Sequence, residues 1–190
     1  MPCRPEYRVV SWALVLTPRS IDGVMELRSD TPGETREIAA VVARLARSGD
    51  IVLLSGDMGS GKTVFAQGFG RALGVIEPMT SPTFTLVNSY PAGALTLHHG
   101  DLYRLERTGE VADLALGELA EFGGVLIVEW GEAAAGVVRD HLMVHFDTVI
   151  DEDDDDDGPS STRLIDIAAV GSMWAQRMER LERDLGGYAC

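Results

Sequence analysis

Lysine is nearly missing from this chain: Lys62 is the only one among 190 residues, and every other cationic side chain is an arginine. Cysteine is almost as scarce, with Cys3 and Cys190 standing at opposite ends. Two such residues make neither a disulfide framework nor a metal cluster, so a reducing compartment, the cytoplasm, is the simple expectation. Excess positive charge is also lacking, the formal net charge being −14. Proteins that grip nucleic acids draw much of their affinity from a basic surface that neutralises phosphates. This chain alone is therefore a poor DNA or RNA binder, and contact with RNA is expected only through a partner. Long apolar runs are absent as well. The mostly apolar stretch Val9–Leu16 spans eight residues, where a membrane helix needs about 20. No small-x-small cleavage site follows it, so neither a membrane span nor secretion is expected.

What is present suits one compact domain. Hydrophobic residues make up 45% of the chain, enough for a core. Residues 1–24 read as an N-terminal extension, 25–185 as the folded domain and 186–190 as a tail. A first strand is expected at Met25–Arg28, followed by a helix capped by Asp30 or Thr31 with Pro32 in its first turn. Ile38, Val41, Val42 and Leu45 form its apolar face. Ile51–Leu54 and Val125–Trp130 are uninterrupted apolar runs, as in strands buried on both faces. Phe84–Tyr90 and Leu95–Gly100 read as further strands around a turn at Pro91–Gly93, and Gly109–Phe122 as one helix. His141–Thr148 and Arg163–Ala169 alternate like a hairpin, and Gly171–Leu185 is an amphipathic helix. Strands alternating with helices define an α/β fold, a mixed parallel and antiparallel sheet flanked by helices.

Between the first apolar run and a helix carrying Phe65, Phe69 and Leu73 lies Gly56-Asp57-Met58-Gly59-Ser60-Gly61-Lys62-Thr63. It satisfies G-x-x-x-x-G-K-[ST] in the strand–loop–helix context that the motif requires. Glycines let successive N–H groups converge on an anion, and the helix starting near Gly61 adds its free N–H groups and dipole. Lys62 supplies a cation for phosphate oxygens, and the Thr63 hydroxyl is a hard ligand for Mg²⁺. Asp57, Met58, Gly59, Ser60, Gly61, Lys62, Thr63 and Val64 are the expected nucleotide contacts. Gly68 and Gly70 do not open a dinucleotide fingerprint, because Leu73 holds its third glycine position. GTP is excluded as the ligand by the absence of any Asn-Lys-x-Asp segment.

A P-loop enzyme also needs carboxylates near the metal and the attacking water. Asp101 and Glu129 end apolar strands, where ligands of open α/β sheets gather. A helix cap for Asp101 and a surface role for Glu129 are equally open on the residues alone. His98 and His99 receive no chemical role. Asp151–Asp157 opens like a calcium loop, but Leu164 occupies the position of the bidentate glutamate, so a solvated acidic loop at 150–160 is expected instead.

Four segments together resemble one family: Gly56–Thr63, Ser81-Pro-Thr-Phe-Thr-Leu-Val-Asn88, His99-Gly-Asp-Leu-Tyr-Arg-Leu105 and Val128-Glu-Trp-Gly131. Their order and spacing are similar to the TsaE family of P-loop ATPases in tRNA threonylcarbamoyladenosine biosynthesis. The resemblance implies ATP and Mg²⁺ as cofactors and the proteins TsaD and TsaB as partners, with tRNA reached only through them. It implies catalytic roles for Lys62, Asp101 and Glu129, and metal ligation by Thr63 and Glu129. Ser81–Thr85 is implied as a switch-like loop, with Trp130 close to the site. Two departures stand out: Gly100 where a bulky apolar residue is usual, which is expected to loosen the strand carrying Asp101, and Gly131 in place of a frequent proline. A small-molecule kinase and a nucleotide-dependent binding module remain open alternatives.

Overall fold

The computed structural model describes residues 23–105, 108–149 and 162–190. The expected extension as far as residue 22 and the acidic run at 151–157 lie outside them. The strands are β1 (Met25–Ser29), β2 (Ile51–Gly56), β3 (Val87–Ala92), β4 (Leu95–Asp101), β5 (Gly124–Glu129), β6 (His141–Thr148) and β7 (Arg163–Val170). The helices are α1 (Pro32–Leu45), α2 (Lys62–Leu73), α3 (Thr108–Asp113), α4 (Leu116–Ala120) and α5 (Ser172–Asp184). One seven-stranded sheet runs in the order β1-β7-β6-β2-β5-β4-β3. Its middle is parallel, β2 lying between β5 and β6 with β4 beside β5. Antiparallel pairs finish both sides, β3 on β4 and β7 between β6 and β1.

Side-chain alternation along the central strands splits the core in two. Val52, Leu54, Val125, Ile127, Val144 and Phe146 face the layer of α1, α2 and α5. Ile51, Leu53, Leu126, Val128 and Met143 face the opposite side, where α3 and α4 supply Val111, Leu116 and Ala120. The N-cap of α1 is Thr31, whose hydroxyl accepts from Glu34 N at 3.2 Å. Helix α5 is pinned by Arg177, which reaches through the layer to Asp50 just ahead of β2.

Three expectations need correction. The helix over 109–122 is two, broken at Ala115, which sits at φ 46°. Val111 and Leu116 are five residues apart, and a continuous helix would aim them in different directions. The break turns both into the same core. The strand expected from Phe84 begins at Val87 instead, because Thr85 N and Leu86 N both bond back to Pro82 O in a tight turn. The turn before β4 is also shorter, since β3 continues through Pro91 and Ala92 and leaves only Gly93 and Ala94 between the strands.

Gly100 does not loosen its strand: β4 stays paired from Thr96 to Asp101 against β5. Among the described residues no cysteine is a free thiol: Cys190 is disulfide-bonded, and Cys3 lies outside them. This stands against the reading of two reduced thiols. No helix of the described residues is long and apolar enough to cross a membrane.

Candidate active site

Strand β2 ends at Gly56 and α2 starts at Lys62, so the glycine loop caps the C-terminal end of the parallel strands. Gly56, Gly59 and Gly61 adopt φ of 128°, 80° and 110°, conformations that L side chains resist. At Gly56 space forbids a side chain as well, since a Cβ would lie 2.4 Å from Phe146 O on β6. The loop thus folds tightly against the sheet.

Lys62 points back into this loop. The residue is 4% exposed, and its ammonium donates to Gly56 O at 2.6 Å and Asp57 O at 2.7 Å. It also lies 4.0 Å from the centre of the Trp130 ring. Burial lowers its pKa, an effect that Glu129, Glu132, Asp101 and Asp57 oppose. The next residue, Thr63, donates its hydroxyl to Glu129 Oε2 at 2.8 Å. Glu129 Oε1 bonds to Nε2 of the buried His99 at 2.9 Å.

Asp101 stands opposite Glu129 in the β4–β5 register. Its Oδ2 accepts from Ser81 Oγ and from Thr83 Oγ1, the latter at 2.9 Å. Its Oδ1 accepts from Tyr103 N at 2.9 Å, so it caps the turn after β4 as well as facing the site. Beyond Glu129 the chain leaves the sheet abruptly, with Trp130 at φ 58° and a 3₁₀ turn at Gly131–Ala133. That turn presses on β2: a Cβ on Gly131 would come within 2.6 Å of Leu53 Cβ. The glycine fits this approach where a larger residue would force the turn outward. Tyr103 packs on Trp130 with ring centres 5.0 Å apart.

Lys62, Thr63, Asp101 and Glu129 therefore surround one cavity of about 360 Å³, walled also by Ser81, Thr83, Tyr103 and Trp130. Of the other expected loop contacts, Met58, Gly59, Gly61 and Val64 line it. Asp57 and Ser60 do not: Asp57 faces solvent, and Ser60 is buried beneath the loop. A larger groove of about 760 Å³, between Arg36, Arg71 and Ile76, lies towards the far end of α2 and holds none of these groups.

The sequence reading left His99, Tyr103 and Arg163 without a part. His99 lies in the same segment as Asp101, and strand alternation puts the two side chains on one face. That was the available signal. Arg163 gave none: it begins β7 and donates to Ser60 O at 2.9 Å from 103 positions away.

A strand, a glycine loop and a helix arranged so at the ends of parallel strands define a P-loop fold. The family described as Threonylcarbamoyl adenosine biosynthesis protein TsaE matches residues 29–157, and the chain belongs to that family. A Bacillus subtilis (strain 168) protein named tRNA threonylcarbamoyladenosine biosynthesis protein TsaE is 38% identical over 160 residues, covering 84% of this chain and 94% of its own. The protein of that name from Streptomyces coelicolor is 35% identical over 144 residues, 74% of this chain and 93% of its own. The crystal structure of Bacillus subtilis YdiB superposes with a TM-score of 0.69 at 30% identity, covering 86% of this chain and 96% of that one.

Proposed function

We propose that this chain binds ATP with Mg²⁺ and hydrolyses it, slowly by itself, in support of tRNA threonylcarbamoyladenosine formation. TsaD and TsaB are the proposed protein partners, the cytoplasm the proposed place of action, and tRNA is met only through those partners. The observation that carries the reading is the convergence of Lys62, Thr63, Asp101 and Glu129 on one cavity beside a glycine loop. The names of the relatives supply the pathway.

The donor set fits the cofactors. Thr63 Oγ1 and Glu129 Oε2 are hard oxygens 2.8 Å apart. Mg²⁺ is commonly held by one or two protein oxygens, with phosphates and water completing its shell. Among the described residues no group of three or more histidine, cysteine or acidic side chains forms a metal cage of its own. When bound, Mg²⁺ neutralises charge on the phosphates.

The chain's residues do the rest by position and charge, since phosphoryl transfer leaves little covalent work to the protein. The loop N–H groups and Lys62 hold phosphate oxygens, Lys62 exchanging its two loop carbonyls for them. Thr63 and Glu129 would hold the metal, with His99 fixing the Glu129 carboxylate. Asp101 orients the attacking water or takes up its proton.

The test is phosphate release from ATP by the purified chain, alone and with TsaD and TsaB, beside Lys62→Ala. Stimulated release that depends on Lys62 supports the proposal, and rapid turnover without partners contradicts its slow-alone part. One observation favours a second reading, a binding module in which hydrolysis is incidental: both Asp101 oxygens are already engaged by Ser81, Thr83 and Tyr103 N. Nucleotide-dependent partner binding that survives Asp101→Asn and Glu129→Gln would select it.

A further inference from the structure

Arg163 enters the site from an unexpected side. It opens β7, paired between Thr148 of β6 and Ser29 of β1, so a sheet strand fixes the root of its side chain. Each nitrogen of its guanidinium donates to a backbone carbonyl. Nε reaches Ser60 O at 2.9 Å, Nη2 reaches Gly59 O at 3.3 Å, and Nη1 reaches Thr162 O at 3.0 Å. Two of the three acceptors are successive carbonyls of the phosphate loop.

A trans peptide is planar, with its N–H on the side opposite its C=O. Drawing the Ser60 carbonyl towards β7 therefore turns the Gly61 N–H the other way, while the Ser60 N–H stays within the loop, donated to Asp57 O at 3.2 Å. Gly61 lines the cavity beside Lys62 and Thr63. The glycines that free the loop also leave it without intrinsic preference for this shape, Gly59 and Gly61 lying at φ 80° and 110°. A planar fork rooted in a strand supplies the preference, because its donors are fixed relative to one another where those of a lysine ammonium rotate.

We infer that Arg163 is a positioning residue for phosphate binding, one that presets the amide cradle of the loop through the Gly59 and Ser60 carbonyls without touching the ligand. The inference rests on the nucleotide-binding reading given above. It makes the phosphate cradle the joint product of a local motif and a strand 103 positions later.

The experiment is calorimetric titration of ADP into the wild-type chain and the Arg163→Ala, Arg163→Lys and Lys62→Ala variants, each with its ligand-free unfolding temperature. Arg163→Ala is expected to weaken ADP binding about tenfold, the scale of one lost charge-assisted hydrogen bond. Arg163→Lys, which keeps the charge but not the fork, is expected to weaken it severalfold. Wild-type affinity in Arg163→Lys would overturn the inference in favour of long-range charge alone. Unchanged ADP affinity in Arg163→Ala, with only a lower unfolding temperature, would reduce Arg163 to a structural brace and overturn it too. Should Arg163→Ala not fold, the lysine variant decides. If the wild type shows no ADP binding that Lys62→Ala abolishes, the nucleotide reading fails first and the inference falls with it.

Discussion

His99 and Glu129 meet between β4 and β5 through a buried hydrogen bond, Nε2 to Oε1 at 2.9 Å. A carboxylate only accepts, so Nε2 carries the proton, and His99 Nδ1 is buried with no hydrogen-bond partner among the described residues. Glu129 is thereby held from one side by His99 and from the other by Thr63. This is the arrangement in which an outer residue orients a metal ligand. His99→Ala is expected to raise the Mg²⁺ concentration for half-maximal ATP hydrolysis by about 10- to 100-fold. His99→Gln, whose amide can donate to the same oxygen, should recover part of the loss. A Mg²⁺ titration of phosphate release checks both.

Asp101 couples the 81–83 turn to the end of β4, and its carboxylate faces the same cavity as Lys62. Asp101→Asn keeps the shape and removes the charge. Its hydrolysis rate is expected to fall by about 10² or more, the range for losing a positioned general base. ADP affinity should stay near the wild-type value. Single-turnover kinetics beside calorimetry separate these effects, and an unchanged rate would count for the binding-module reading.

Stability should depend on a pair remote from the cavity. Arg177 holds Asp50 through two bonds of 2.6 and 2.7 Å and also donates to Leu45 O at 2.7 Å. The same Asp50 accepts from Arg47 N at 2.6 Å. Removing one partner of a buried pair strands the other's charge, so Arg177→Met is expected to cost about 3–5 kcal/mol in urea unfolding. Nucleotide affinity of the folded protein should not change.

His141, fully buried at the start of β6, has its pKa lowered by desolvation to about 4 from 6.5. Between those values the unfolded chain binds a proton that the folded chain does not. Its contribution to stability is therefore complete above about pH 6.5 and is lost as pH falls towards 4. The slope reaches about 1.4 kcal/mol per pH unit at most. Urea midpoints measured from pH 7 to pH 5 should fall in the wild type and flatten in His141→Gln.

The phosphate loop was legible because its chemistry is local: eight adjacent residues carry the whole pattern, and the flanking periodicities name a strand and a helix. The runs at Ile51 and Val125 were legible as buried strands for the same reason. Their neighbours were not. That β2 lies between β5 and β6 follows from crossovers rather than from alternation, and only the β4–β5 register sets Asp101 opposite Glu129. His99 acquires its partner from that register. The break at Ala115 was hidden because apolar spacing identifies a helical face without saying where the core requires the axis to turn. Arg163 was invisible, since a charged residue at a strand start signals nothing about a loop so distant in sequence.

The lone lysine gives the site a reporter of its own. A protease that cuts only after lysine can divide this chain at one bond, between Lys62 and Thr63. In the folded protein that bond lies at the buried start of α2. Cleavage there reads the population in which this junction has opened, and a ligand that binds the closed form must slow it. One cut, yielding two fragments once the Cys190 disulfide is reduced, would follow the breathing of the phosphate loop without any label.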